Sequence, residues 1–134
     1  MDVIYLTVAQ VQELHDEAIA EFGGIHGIRS QELLESAVFQ PQQSAFGEDA
    51  YSSFSSKAAA YAFFITSNHP FIDGNKRTAA NAMLAFLMLS GFRLIWSEEE
   101  IENTIVALAS HEITKDDFFS WVVLGVRAEI SEER

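Results

Sequence analysis

Two nearly uncharged apolar segments, separated by a short turn, constrain the fold of this chain more than any other feature. Residues 53–68 are apolar on almost every side of a predicted helix, and residues 75–90 are again mostly apolar. A helix that is hydrophobic all round is buried. Pro70 disfavours helical geometry at His69, so the first of these helices should end by Asn68. We therefore predict a buried central pair of helices joined by the turn HPFIDG.

The other helices are predicted from capping residues that precede segments of helical periodicity. Candidate caps stand at Thr7, Ser30, Ser97 and Thr114. Together with the central pair they predict an all-α fold, a bundle of about six helices in one domain that spans residues 1–134. The predicted segments are about 8–22, 31–38, 53–68, 75–90, 98–110 and 115–128. A long surface loop should follow Pro41, and the β-prone segment FRLIW (92–96) is expected to pair with the early IYL segment at the surface.

Composition and charge limit the classes of function. The chain has 134 residues, of which 49% are hydrophobic, with a formal net charge of −12 and no cysteine. Nucleic-acid affinity depends on Lys and Arg contacts to phosphate, so this charge argues against a nucleic-acid partner. No apolar run reaches the roughly 18–20 residues that span a bilayer, and the start MDVIYLT lacks the pattern of a signal peptide. We expect a cytoplasmic protein without a membrane partner.

The turn and the helix that follows it concentrate the polar residues. A helix that begins near Gly74 directs unpaired N–H groups and the positive end of its dipole towards the turn, which suits a phosphate group. Arg77 adds a planar fork of donors, and Asn81 shares its helix face. Asp73 supplies one oxygen ligand for Mg²⁺. His69 is suited to accept a proton near neutral pH. The pattern favours a Mg²⁺–nucleotide site and phosphoryl or nucleotidyl transfer.

Each of these residues also has an ordinary structural explanation. A histidine before a proline often bonds a helix end, Asp-Gly is a common turn pair, and a Lys-Arg pair is usually solvated. GNKRT lacks the glycine-rich run of a Walker loop. His15, His26 and His111 lack the spacing of zinc ligands and are interpreted as structural. Arg29 and Lys57 are further candidate contacts to phosphate or target, with a solvated surface charge as the alternative.

The run HPFIDGNKR at residues 69–77 resembles the signature of the Fic/Doc proteins. The resemblance extends to the LTVAQVQELHDE opening, the FGGIHGIRSQELLESAV segment and the ITKDDFFSWV ending. It implies the Fic/Doc-type helical bundle. Lys76 stands where the adenylylating Fic enzymes carry glycine, and Ala80 stands where they carry a second arginine. These two positions, with Asn81, are similar to the death-on-curing (Doc) branch.

The resemblance to that branch implies the toxin of a toxin–antitoxin pair. Such a protein transfers the γ-phosphate of ATP to a Ser/Thr hydroxyl of a target, a threonine of elongation factor Tu in the best-known relative, and so blocks translation. It implies ATP and Mg²⁺ as cofactors, and an antitoxin that inserts a peptide segment near the site. By position, His69 would be the base and Asp73 the Mg²⁺ ligand. The phosphate contacts would be Gly74, Asn75, Lys76, Arg77 and Asn81, with Lys76 and Arg77 also acting in catalysis.

Two alternatives stay open at this stage. One is Fic-type transfer of AMP to a protein hydroxyl, which the absence of a second arginine at Ala80 disfavours. The other is a catalytically silent binding module of the same fold. The segment SAFGED at residues 44–49 partly resembles a self-inhibitory motif of the family, with Asp49 where that motif has glycine or asparagine.

Overall fold

The structure, a computed structural model, describes residues 2–130 of the chain. Six α-helices lie within this range, which confirms the predicted all-α bundle. Their bounds are α1 (Val8–Phe22), α2 (Gln31–Phe39), α3 (Phe54–Asn68), α4 (Asn75–Leu89), α5 (Glu98–Ala109) and α6 (Lys115–Gly125). In this part of the chain we find no helix with both the length and the apolar character that a bilayer crossing requires.

The predicted central pair of helices is present and forms the core of the bundle. Helices α3 and α4 make the most extensive helix–helix contact of the described residues. Helices α1 and α5 pack against α4, while α2 and α6 pack against α3. Tyr61, Met83 and Phe86 are fully buried between these layers. The loop that joins α3 to α4 therefore emerges from the best-packed part of the molecule.

A buried tyrosine ties the N-terminal segment to this core. The backbone N–H of Leu6 donates a hydrogen bond to the Tyr61 hydroxyl, with an N–O distance of 2.8 Å. Burial raises the pKa of the Tyr61 hydroxyl well above its ordinary value, although the Leu6 hydrogen bond acts in the opposite direction. The segment before α1 is thus bonded to the core through a hydroxyl whose ionised form the fold disfavours.

The segment FRLIW contains a strand, but the partner predicted for it was wrong. Strand β3 (Phe92–Leu94) pairs antiparallel with β4 (Val126–Ala128) and not with the early IYL segment. The same pairing explains why α6 ends at Gly125, short of the predicted residue 128. A side chain at Gly125 would clash with the Trp96 indole, which donates a hydrogen bond of 2.9 Å to the Trp121 carbonyl.

The region after Pro41, predicted as a long surface loop, contains a small hairpin. A 3-10 turn (Gln40–Gln42) leads into β1 (Ser44–Ala45), which pairs antiparallel with β2 (Glu48–Asp49). Phe46 and Gly47 at the tip both have positive φ angles, 54° and 80°. Type I′ hairpin turns require positive φ at both central residues. The SAFGED segment is therefore a hairpin, and its Phe46 ring is fully exposed.

Lys57 anchors this hairpin to the core. Its side chain is almost fully buried on α3, and its Nζ donates hydrogen bonds to Asp49 Oδ2 at 3.1 Å and to the Tyr51 carbonyl oxygen. Both sequence-based expectations for Lys57, a contact to phosphate or target and a solvated surface charge, were therefore wrong. A buried ammonium needs such partners because an unpaired buried charge is strongly destabilising.

Candidate active site

The loop between α3 and α4 begins with a histidine in an unusual backbone conformation. His69 is the C-cap residue of α3 and has φ 50° and ψ 55°, in the left-handed region. A residue other than glycine in this region costs on the order of 1 kcal/mol or more and persists where its surroundings hold it. The His69 residue is exposed, whereas Pro70 and Phe71 directly after it are buried. The chain thus presents His69 at the surface of an anchored loop.

The buried side chain of Asn75 closes the loop from within. Its Oδ1 accepts a hydrogen bond from the Phe71 N–H, and its Nδ2 donates one to the Phe71 carbonyl, both at 2.9 Å. This pair satisfies two buried backbone groups that no helix or strand partner reaches. The amide of Asn75 therefore acts inside the loop, and only its backbone N–H remains to face a ligand.

His15 of α1 is buried against the loop and contacts both Phe71 and Asp73. It is 2% exposed, and its ring stacks on the Phe71 ring at a centroid distance of 3.8 Å and an interplanar angle of 5°. Its Nε2 lies 2.8 Å from the carbonyl oxygen of Asp73 and donates to it in the tautomer protonated there. The structural role predicted for His15 thus lies directly at the candidate site, a position that its spacing in the sequence does not indicate.

Residues 24–30, a segment that we call the strap, hold the loop through backbone hydrogen bonds. The N–H groups of Arg29 and Ser30 both donate to the Pro70 carbonyl, at 2.7 and 3.0 Å. The N–H of Ile72 donates in return to the Gly27 carbonyl at 3.0 Å. Gly27 has φ 132°, a backbone conformation that other residues rarely adopt, so glycine suits this close approach.

Asp73 presents an exposed carboxylate at the end of the loop. Its Oδ2 accepts a hydrogen bond from the Ile25 N–H at 3.1 Å, and its Oδ1 accepts one from the Gly74 N–H at 2.9 Å. Between residues 2 and 130 we find no group of three or more His, Asp or Glu side chains placed to hold a metal ion. A cation at Asp73 would therefore take its other ligands from water and a substrate phosphate, which is typical of Mg²⁺.

The N-terminus of α4 differs from the other helix starts in the described chain. Side chains accept hydrogen bonds from first-turn N–H groups at the start of the other five helices. In contrast, α4 begins at Gly74, which has φ 78° and no side-chain capping bond. First-turn N–H groups and the helix dipole together favour an anion. The uncapped end of α4 directly follows the Asp73 carboxylate.

Further along α4, a cavity of about 490 Å³ opens between α4, α5 and the β3 segment. Its polar lining consists of Lys76, Arg77, Asn81, Glu98 and Glu102, and its apolar lining includes Ala80, Leu84, Leu94, Trp96, Ile101 and Ile105. The predicted shared face of Arg77 and Asn81 is thus the cavity face. This volume is within the range of small-molecule sites, and the polar groups lie towards the loop end of α4.

Arg77 is held by contacts that sequence analysis did not foresee. Its guanidinium lies 3.9 Å from the centroid of the Phe22 ring on α1. Its Nη1 is 3.6 Å from Glu98 Oε1, and its Nη2 is 3.4 Å from Glu102 Oε2. Both carboxylates are mostly exposed, and ion pairs of this kind contribute little energy. The guanidinium can therefore exchange these partners for an anionic ligand at small cost.

The predicted site residues thus fall into three positions. His69, Asp73 and Gly74 lie on the anchored loop, and Lys76, Arg77 and Asn81 lie on the cavity face of α4. Asn75 alone turns its side chain inwards. The supporting residues that sequence analysis missed are His15, Phe22, Gly24, Gly27, Glu98 and Glu102. Of these, only the closely spaced glycines of FGGIHG carried a sequence signal, since glycine marks close backbone approach.

The fold and site together define a small helical protein built around an anchored loop between two buried helices. The sequence model of the Fic/DOC family matches residues 5–87, more than half of the chain, and the chain belongs to this family. Residues 69–77 carry its characteristic run and lie inside the match.

Two proteins named Doc are similar to this chain over different lengths. The chain is similar to the protein named Toxin Doc from Mycolicibacterium smegmatis, with 44% identity over 73 residues. That match covers 54% of this chain and 56% of the mycobacterial protein, so it spans just over half of that relative. The chain is also similar to the protein named Protein kinase doc from Escherichia phage P1, with 28% identity over 110 residues. The second match covers 82% of this chain and 86% of the phage protein.

Proposed function

We propose that this chain is a Doc-type toxin that transfers the γ-phosphate of ATP to a Ser/Thr hydroxyl of a target protein, with elongation factor Tu as the target. The observation that carries the proposal is the α3–α4 loop. Its backbone is anchored by Asn75, His15 and the strap, while the His69 and Asp73 residues stay exposed and Asp73 directly precedes the uncapped end of α4. A preorganised loop of this kind suits phosphoryl transfer, which depends on positioning and electrostatic stabilisation.

Each residue has a defined part in the proposed reaction. His69 accepts the proton of the target hydroxyl, and the oxygen of that hydroxyl forms a bond to the γ-phosphorus. The bond between the γ-phosphorus and the bridging β–γ oxygen breaks, which releases ADP. Lys76 and Arg77 place positive charge at the transferred phosphate, and Gly74, the Asn75 N–H and Asn81 complete the phosphate contacts. Asp73 would hold Mg²⁺, which neutralises phosphate charge when bound.

Transfer of a phosphate, and not of AMP, is supported by the cavity face of α4. Ala80 lines the cavity at the position where an adenylylating relative would carry a second arginine. Among the described residues, Arg77 is the one arginine in the lining of this cavity. The name of the phage relative, Protein kinase doc, supports the same assignment. The name of the mycobacterial relative, Toxin Doc, supports the toxin role.

An antitoxin partner follows from the same proposal. A peptide segment of the antitoxin would lie in the cavity between α4 and α5, where its apolar residues could cover Trp96 and Ile101. Such a segment would also reach Arg77 and thereby compete with nucleotide. Because ATP and elongation factor Tu are cytoplasmic, the protein would act in the cytoplasm. Modification of the factor would inhibit translation.

The proposal is tested by incubating the purified protein with Mg²⁺, elongation factor Tu and ATP labelled on either the γ- or the α-phosphate. We expect γ-label on the factor from wild-type protein and none from His69→Ala. His111→Ala serves as the matched control, because His111 is an exposed histidine that follows α5, and it should label the factor normally.

The other outcomes separate the alternatives. Transfer of α-label with a mass gain of one adenylate would establish AMP transfer instead. Failure to bind Mg²⁺–ATP by calorimetry, together with harmless expression in the absence of an antitoxin, would select the silent binding module. Label on a different protein of a bacterial extract, still dependent on His69, would keep the reaction and replace the target.

A further inference from the structure

Arg29 of the strap binds the end of helix α3 through two hydrogen bonds from one guanidinium. Its Nε donates to the carbonyl oxygen of His69 at 2.7 Å, and its Nη2 donates to the carbonyl oxygen of Asn68 at 2.8 Å. The last carbonyls of a helix lack partners within the helix, and a cation placed there also complements the helix dipole. Arg29 supplies both the donors and the charge.

These two carbonyls are the ones that define the backbone of His69. Because peptide bonds are planar, the orientation of the Asn68 carbonyl follows φ of His69, and the orientation of the His69 carbonyl follows ψ. A rigid guanidinium that holds both carbonyls therefore holds both angles, at 50° and 55°. The direction in which the His69 side chain leaves the backbone is fixed by the same angles.

The rest of the strap prevents Arg29 from moving away. Its own N–H donates to the Pro70 carbonyl at 2.7 Å, and Ile28 forms a β-bridge with Phe71. Backbone and side chain of Arg29 thus contact three consecutive residues, the last of α3 and the first two of the loop. The edge of the guanidinium formed by Nε and Nη2 is bonded to these carbonyls, so this edge is not open to bind a phosphate in a bidentate manner.

We propose that Arg29 is a positioning residue that holds His69 in the left-handed conformation and so aims the imidazole at the target hydroxyl. The proposal rests on the function proposed above, since it assigns Arg29 a part in that same reaction. It replaces the two sequence-based alternatives for Arg29, a ligand of phosphate or target and a solvated surface charge.

The kinetic test compares Arg29→Ala with Arg93→Ala, a control that removes the same charge from an exposed arginine paired with Glu129. We expect Arg29→Ala to lower kcat by about tenfold to a hundredfold, because small misplacements of a reacting group have effects of this size. The KM and the calorimetric Kd for Mg²⁺–ATP should stay within about twofold of the wild-type values, because Arg29 is proposed to lie outside the nucleotide contacts. Added guanidinium ion should restore part of the kcat of Arg29→Ala only.

A second measurement needs no catalysis. In ¹H–¹³C NMR spectra, the His69 ring resonance should shift or broaden in Arg29→Ala, while the resonance of the buried His15 should not move. Arg29→Lys, which keeps the charge but not the planar fork, should show a smaller change in the same direction. This variant serves if Arg29→Ala fails to fold, as judged by thermal unfolding.

The outcomes are distinguishable. An unmoved His69 resonance with unchanged kcat would overturn the positioning role, and a loss of Mg²⁺–ATP affinity at unchanged kcat would make Arg29 a nucleotide ligand. If the wild-type protein transfers nothing, the proposed function fails. The NMR comparison would still decide whether Arg29 holds His69 in place.

Discussion

At the scale of single residues, the buried amide of Asn75 holds the backbone of the α3–α4 loop from inside. Asn75 lies in the family signature and was predicted to contact phosphate, yet its side chain bonds both backbone groups of Phe71 and is buried. The signature position is thus explained by the loop's own hydrogen bonds. Asn81, two turns further along α4, lines the cavity and is the matched asparagine for comparison.

Replacement of Asn75 by alanine should therefore destabilise the protein before it weakens binding. Each buried backbone group left without a partner costs about 1–3 kcal/mol, so Asn75→Ala should lower the free energy of unfolding by at least this amount in urea titrations. Asn81→Ala should leave stability nearly unchanged and weaken Mg²⁺–ATP binding in calorimetry. A stable Asn75→Ala protein with reduced nucleotide affinity would show that the side chain contacts phosphate after all.

Tyr61 predicts a specific dependence of stability on pH. Burial raises the pKa of its hydroxyl, so the folded state disfavours the ionised form. The stability that the neutral hydroxyl contributes is complete below the ordinary tyrosine pKa of about 10, and it should fall as the pH rises above that value, by up to about 1.4 kcal/mol per pH unit.

Tyr61→Phe isolates this effect from other groups that titrate at high pH. At neutral pH the variant should be less stable by about 1–3 kcal/mol, because the buried Leu6 N–H loses its acceptor. Between pH 9 and 11, thermal unfolding should show a shallower loss of stability for the variant than for wild type. Parallel pH profiles would mean that the pKa of Tyr61 does not differ between the folded and unfolded states.

At the scale of elements, the strap and the loop form one unit although their contacting residues lie about 40 positions or more apart in the chain. Backbone hydrogen bonds run in both directions between them, and the Asp73 carboxylate bonds the Ile25 N–H. Gly24, with φ 122°, faces this carboxylate, and a Cβ there would lie 2.7 Å from Asp73 Oδ2. The adjacent Gly23, with φ 82°, has nothing within 4 Å of its position for a Cβ.

The two glycines allow a matched pair of substitutions. Both variants, Gly23→Ala and Gly24→Ala, carry the strain of an alanine at positive φ, roughly 1 kcal/mol. Only Gly24→Ala should also displace the Asp73 carboxylate, so only this variant should lose Mg²⁺-dependent binding of ATP in calorimetry. Equal losses in both variants would indicate that backbone strain, and not contact with Asp73, controls the site.

At the scale of the whole molecule, stability should be concentrated in the central helix pair. Ala58, Ala59, Ala60 and Tyr61 of α3 are fully buried, whereas all four residues of the β1–β2 hairpin strands are exposed. Amides in well-packed elements exchange their hydrogens only on global unfolding, while exposed elements open locally. The bundle thus combines a rigid centre with a surface hairpin tied to it by Lys57.

Hydrogen exchange tests this distribution. Amides of residues 58–66 should exchange at the rate set by the global free energy of unfolding, and those of the hairpin should exchange orders of magnitude faster. Lys57→Met, which removes the bonds to Asp49 and Tyr51, should speed exchange in the hairpin more than in α4. Uniform exchange across both elements would contradict a hairpin of low local stability.

Much of this architecture could be predicted from the sequence because the signals are local. Helix starts followed from Thr7, Ser30, Ser97 and Thr114, each of which caps its helix as the pattern indicates. Pro70 marked the end of α3, and apolar residues on all sides marked the buried pair. The predicted end of α6 and the partner of β3 were wrong, because a strand partner depends on which surfaces meet in three dimensions and not on local propensity.

The sequence by itself determined the two buried helices, the loop between them and the motif that places His69, Asp73 and Arg77 in order, since periodicity, capping and proline geometry act within a few residues. Only the tertiary structure decided that His15 lies beneath the loop, that Arg29 binds the end of α3 and that Asn75 turns inwards. Two of these contacts join residues about 40 and 58 positions apart. The physical reason is that polar partners of buried groups are chosen by packing, which brings together segments that no local pattern links.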